Sequence, residues 1–266
     1  MDFLERDGVR LAYDQQGQGD PALLFIHGYT CDHSFFEPQV EHFAPGRRVL
    51  AVDLRGHGQS DKPEQDYTLA GLADDCAWLC RRLGLERVVA VGHSMGGGVA
   101  LELAGRHSEL VAGVVALDTA ILSDSRRLRH TLPSLVEGLA GPRYLEAHRA
   151  YMTALWGPWN DPERCQAILE RMARTPRGVM QALAREFQRW DGAAALARVS
   201  CPALTVAASR QRSQHAELQA LCPWLTGGQT VCSGHFITLE VPAQVNAMLE
   251  SFLARGLGGQ DRGPLT

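Results

Sequence analysis

The sequence predicts an α/β fold, a mostly parallel, doubly wound sheet carrying a helical insertion. Three observations predict it. Short β-branched apolar runs alternate with stretches of helical period, the signature of crossover units. The alternation breaks once, between about 122 and 194, where no strand pattern occurs. And 266 residues, 45% of them hydrophobic, suffice for one substantial core.

Taken in order, "GVRLAYDQQG" (8–17) reads as an antiparallel edge strand. The strands "ALLFIHG" (22–28), "RVLAVDLRG" (48–56), "RVVAVGH" (87–93) and "LVAGVVALD" (110–118) follow, then "PALTVAA" (202–208) and "QTVC" (229–232). Helical patterns lie near 33–43, 68–84, 95–107, 214–222 and 242–255. Pro242 opens the last of these at a first-turn position.

Within the break, "LEAHRAYMTALWG" (145–157) and "PERCQAILERMAR" (162–174) read as helices, with "WGPWNDP" (156–162) as the turn between them. Residues 122–194 are therefore expected to form a helical cap over the carboxyl edge of the sheet. Residues 1–121 and 195–266 form the core. Such a cap would shape substrate preference more than it supports the sheet; helices packed on the side of the sheet are the alternative. The tail "GLGGQDRGPLT" reads as frayed.

A net charge of −4 and a pI near 6.2 give no basic footprint for nucleic acid. All but one of the 26 basic residues are arginine. No apolar run reaches the roughly 18–20 residues that span a bilayer, and "MDFLERDGVR" has no secretory pattern. These features point to a soluble, cytoplasmic protein with a small-molecule partner and no membrane contact; they set no oligomeric state. The seven scattered cysteines suggest no disulfide framework. Cys76 and Cys80 read as small core residues, because no histidine pair stands near them at zinc spacing.

The chemistry begins at "VVAVGHSMGGGVALELA" (88–104), where an apolar run breaks into glycine around a serine and a small-residue helix follows. "GHSMG" fits the nucleophile-elbow pattern, in which a strand turns sharply into a helix and presents serine at the tip. Gly92 and Gly96 leave room for the turn, and the helix N-terminus directs free N–H groups toward Ser94.

With "FIHGYT" (25–30), "DLRGHGQSDKP" (53–63), "GHSMGG" (92–97) and "SGHFITLEVP" (233–242) in this order, the chain resembles the α/β-hydrolase family over nearly its whole length. The resemblance implies a serine, acid and histidine triad without metal or organic cofactor. His235, after the last expected strand, matches the family's base, which takes the proton from a serine that is otherwise a poor nucleophile. The resemblance further implies an oxyanion hole from the backbone N–H groups of Tyr29 and Met95, with Asp53 and Arg55 as scaffold. His93 reads as an elbow filler pointing away from Ser94.

The triad acid departs from the commonest pattern. The loop "ASRQRSQHAE" (208–217) has no carboxylate before Glu217, whereas Asp118 ends the strand after the elbow helix, where some family members carry the acid. Asp118 is the expected acid. Glu217, or a site with no acid, is the alternative, and a helix cap is the bland role for Asp118.

The expected activity is hydrolysis of a small carboxylic ester, or a related amide or C–C bond, through an acyl-enzyme on Ser94. A cofactor-independent dioxygenase acting on a heteroaromatic substrate, with His235 and Asp118 as base, is the alternative; a non-catalytic receptor on this scaffold is a third. Trp156 and Trp159 are the tentative substrate pocket. Tyr144, Tyr151, Phe187 and Trp190 read as cap packing, and Arg126, Arg127 and Arg129 as solvated surface.

Overall fold

The computed structural model describes residues 1–122, 126–209 and 214–257, giving the backbone alone for 126–130. Strands β1 (Asp2–Arg6) and β2 (Val9–Gln16) form a hairpin around Asp7-Gly8, both at positive φ. Such a pair suits a two-residue turn whose twist matches the strands it joins. The expected edge strand is therefore second in the sheet, with β1 outside it.

The chain then alternates: β3 (Ala22–Ile26), α1 (Glu37–Phe43), β4 (Val49–Val52), α2 (Leu69–Arg82), β5 (Val88–His93), α3 (Met95–Arg106) and β6 (Val111–Leu117). Five helices follow, α4 (Arg126–Ala140), α5 (Tyr144–Thr153), α6 (Pro162–Met172), α7 (Arg177–Arg189) and α8 (Gly192–Ala197). The fold closes with β7 (Ala203–Ala207), α9 (His215–Leu221), β8 (Leu225–Gln229), α10 (Ile237–Glu240) and α11 (Pro242–Ser251). The eight strands lie in the order β1-β2-β4-β3-β5-β6-β7-β8, antiparallel through β4 and parallel from β4 to β8.

Period-two alternation divides the core. Leu24, Ile26, Ala90, Val114 and Ala116 face one side of the sheet with α2 and α3, while Leu23, Phe25, Val89, Val91 and Val115 face the other with α1 and α11. Each face is covered by helices, so the strands read as continuous apolar runs.

Helices α4, α7 and α8 join the two helices expected in the insertion, and Pro133 sits inside α4. Leu135, Met152, Ile168, Met172, Met180 and Leu183 of the insertion belong to the same buried cluster as Leu24 and Ile26 of the sheet. The inserted helices thus contribute side chains to the buried cluster on that side of the sheet. The last strand also lies earlier than "QTVC" suggests. "LTGGQ" has little β-branched content, and pairing with β7 decides its place. Of the expected tail, residues 258–266 lie outside the described residues, as do the side chains of Arg126, Arg127 and Arg129.

Candidate active site

β3, β5, β6 and β7 all end at one edge of the parallel sheet, the edge where open α/β sheets place their sites. Ser94 follows β5 at φ 54°, ψ −116°, a left-handed conformation that costs about 1–3 kcal/mol for a non-glycine residue. Two neighbours impose it. The Ser94 N–H donates to the Leu117 carbonyl at 2.8 Å, and the Ser94 carbonyl accepts from the Gly97 N–H at 3.0 Å. A Cβ on Gly92 would overlap the Gly96 carbonyl, and one on Gly96 would overlap the Ile26 carbonyl, so the turn is closed to any side chain at either position.

His235 lies between β8 and α10, and its Nε2 stands 2.9 Å from Ser94 Oγ. Its Nδ1 donates to Asp118 Oδ2 at 2.6 Å, which leaves the Nε2 lone pair for the serine hydroxyl. Asp118 follows β6 at φ 45° and is 5% exposed; its second oxygen accepts the Ala208 N–H at 2.8 Å. Each carboxylate oxygen therefore has its own donor, which fixes the plane of the group. Glu217 lies exposed on α9. Residues 210–213 of the loop before it lie outside the described residues.

Opposite the serine, the loop after β3 carries Tyr29. His27 Nε2 accepts the Leu54 N–H at 3.0 Å, so the proton sits on Nδ1, which donates to the Gly28 carbonyl at 2.8 Å. A trans peptide points its N–H opposite to its C=O. Pinning the Gly28 carbonyl therefore aims the Tyr29 N–H the other way. Among the described residues neither the Tyr29 nor the Met95 N–H has a backbone acceptor.

Two supports of His235 escaped the sequence reading. His93 reaches the loop of His235: its ring lies 4.8 Å from that of His235, and its Nε2 donates to the His235 carbonyl at 2.8 Å. Burial pushes the His93 imidazole down to about 3, so it stays neutral. Glu240 accepts the Gly234 N–H at 2.5 Å and the Phe236 N–H at 2.9 Å, clamping the amides on both sides of His235. The local signal was a carboxylate in a first helical turn reaching back to the residue that opens the helix.

Asp53 ties neighbouring loops together, accepting from His33 and from the Gln59 N–H. Burial raises its carboxyl, but the His33 bond and nearby donors outweigh that and hold it at about 2. Arg55 pairs with Asp75 of α2 through two bonds. Trp156 is half-buried against the main core, whereas Trp159 is 49% exposed. Asn160, in the same turn, packs its carboxamide against Gly234 beside His235. Trp190 donates to Glu102 of α3 at 2.9 Å, and Phe187 meets the Tyr29 ring edge-on.

Residues 21–200 match the family model for the alpha/beta hydrolase fold. The chain belongs to the alpha/beta hydrolase family. It is 40% identical over 110 residues to a 2-(acetamidomethylene)succinate hydrolase of Mesorhizobium japonicum, covering 41% of this chain and 39% of that protein. It is 34% identical over 174 residues to the lipase LipV of Mycobacterium tuberculosis, covering 64% of this chain and 65% of that one. The match thus spans less than two thirds of either relative. Among solved α/β-hydrolase structures, a thermophilic esterase from Thermogutta terrifontis superposes with a TM-score of 0.82 at 26% identity, covering 96% of this chain and 97% of the other. No described helix of the chain is long and apolar enough to cross a membrane.

Proposed function

We propose that the protein is a serine hydrolase that cleaves a small carboxylic ester, or a related amide or activated C–C bond, through an acyl-enzyme on Ser94. The observation that carries this reading is the unbroken chain Ser94 Oγ–His235 Nε2 and His235 Nδ1–Asp118 Oδ2. In this reading His235 takes the serine proton as Ser94 Oγ bonds to the acyl carbon. The Tyr29 and Met95 N–H groups receive the oxyanion, and Asp118 holds the imidazole and stabilises its cation. His235 then returns the proton to the leaving alcohol. Water, deprotonated by the same nitrogen, releases the acid and restores Ser94.

The helical segment 122–194 serves as the cap in this reading, and its turn at 156–160 forms one wall of the site. Asn160 against Gly234 supports that placement, with Trp156 and Trp159 as the apolar lining. The esterase and hydrolase relatives support the reaction class.

The His235–Asp118 pair equally suits a base in a cofactor-free dioxygenase. A serine hydroxyl held 2.9 Å from Nε2 favours hydrolysis. Turnover of p-nitrophenyl esters by wild type and Ser94→Ala, with oxygen uptake on a hydroxyquinolone run in parallel, separates the two. Ester turnover lost in Ser94→Ala is the expected result. Oxygen consumption that survives in Ser94→Ala would replace the hydrolase reading with the dioxygenase one.

A further inference from the structure

Three inserted helices grip the same few residues of the loop after β3. Tyr29 Oη donates to the Met180 carbonyl of α7 at 2.9 Å, and Arg171 of α6 pairs with Asp32 at 2.8 Å while lying over the Phe35 ring. The third grip is polar and fully buried. Thr30 Oγ1 stands 3.0 Å from Nε2 of His148 on α5, and the two residues are 2% and 1% exposed.

The proton on that bond can be assigned. Thr30 Oγ1 lies 2.7 Å from the Tyr29 carbonyl, which can only accept, so the single hydroxyl proton goes there. His148 Nε2 must then be the donor to Thr30 Oγ1. Burial lowers the His148 imidazole to about 4, leaving it neutral with its proton committed to this bond.

Thr30 itself is out of the ordinary. A β-branched residue at φ 57° is a backbone outlier that persists only where its surroundings over-determine it. Here they do: the hydroxyl is held from both sides, and the Thr30 carbonyl accepts from Thr175 Oγ1 at 3.4 Å. The strained residue directly follows Tyr29, and its hydroxyl fixes the Tyr29 carbonyl. His27 fixes the peptide on the other side.

We propose that His148 is a positioning residue: by holding Thr30 it sets the angle of the Tyr29 amide in the oxyanion hole, so that the inserted helices act on the chemical step as well as on substrate entry. The inference rests on the serine-hydrolase reading of the site. No contact of His148 with Ser94, His235 or Asp118 is needed for it.

The test compares wild type, His148→Leu, His148→Gln and Thr30→Val for kcat, KM, inhibition by a trifluoromethyl ketone and melting temperature, with Ser94→Ala as control. Leucine removes the donor at similar volume, glutamine restores an N–H near the Nε2 position, and Thr30→Val deletes the relay hydroxyl while keeping its shape. His148→Leu and Thr30→Val are expected to lower kcat about 10- to 100-fold, short of the 10²–10³ lost with an oxyanion donor outright, with KM within about twofold. Ketone affinity should fall in parallel with kcat, and His148→Gln should recover most of both. Thr30→Val carries the test should His148→Leu fail to fold. Unchanged kcat in the folded variants, a rise in KM alone, or a failure of glutamine to restore kcat would overturn the proposal. Loss of turnover in Ser94→Ala beside an unaffected His148→Leu would refute this inference alone; turnover retained in Ser94→Ala would refute the hydrolase reading beneath it.

Discussion

His93 holds the backbone of His235: the Nε2–H of the elbow histidine reaches the His235 carbonyl at 2.8 Å, with the two rings 4.8 Å apart. The residue preceding the serine thereby fixes the loop that carries His235. His93→Leu should lower kcat about fivefold with little change in KM, as expected when a hydrogen bond of about 1 kcal/mol no longer restrains a reacting group. His93→Gln, which keeps an N–H donor, should lose less. Steady-state kinetics on one ester check both, and an equal loss in the two variants would point to ring packing instead.

Glu240 acts on the same loop from the other side, through the Gly234 and Phe236 amides. Glu240→Ala leaves two part-buried N–H groups without their carboxylate, each worth about 1–3 kcal/mol. The variant should melt several degrees lower and lose kcat together with stability. Glu240→Gln retains one acceptor and should fall between. Calorimetry paired with turnover at a temperature where all variants are folded measures the two effects separately.

Asp118 is the residue whose role departs most from the commonest sequence pattern. Asp118→Asn should cost about 10³- to 10⁴-fold in kcat, because a neutral amide favours the wrong imidazole tautomer and no longer stabilises the cation. Glu217→Gln should leave turnover within about twofold. Groups that act as a unit are strongly non-additive, so Asp118→Asn added to His235→Ala should cost almost nothing more. Additive losses in that double variant would separate Asp118 from His235.

Most of the strands, the elbow, and the positions of His235 and Asp118 were legible because each has a local signature. β5 reads as an apolar run into glycine, His235 follows the last strand, and Asp118 ends β6. The supporting histidines were not legible. His93 and His148 meet partners 142 and 118 residues away, and an isolated histidine in a strand or helix carries no mark of what it will touch. β8 was displaced for a related reason: glycines within it leave pairing with β7, a long-range event, to set its ends. β1 was missed although Asp7-Gly8 is a local hairpin signal.

Buried neutral histidines also set the response to acid. Burial holds His57 and His93 at about 3 and His148 at about 4, whereas an unfolded imidazole titrates near 6.5. Between those values the unfolded chain binds more protons than the folded one, so stability rises with pH. Their contribution is complete above about pH 6.5 and is lost as pH falls toward 3–4. Urea titrations from pH 7.5 to 4.5 should show the midpoint dropping steeply below about 6.5, with about three protons taken up on unfolding near pH 5. A flat midpoint across that range would contradict the neutral state of these three residues.

The serine mechanism is tested most directly by intact-protein mass spectrometry after incubation with a fluorophosphonate, followed by peptide mapping. Ser94 stands half-buried at the tip of the elbow, 2.9 Å from a histidine that can take its proton, so one stoichiometric adduct on Ser94 in wild type is the expected result. Ser94→Ala should carry no adduct, and His235→Ala should react slowly or not at all. A folded wild-type protein that takes up no phosphonate, or an adduct of equal yield in Ser94→Ala, would contradict Ser94 as the nucleophile.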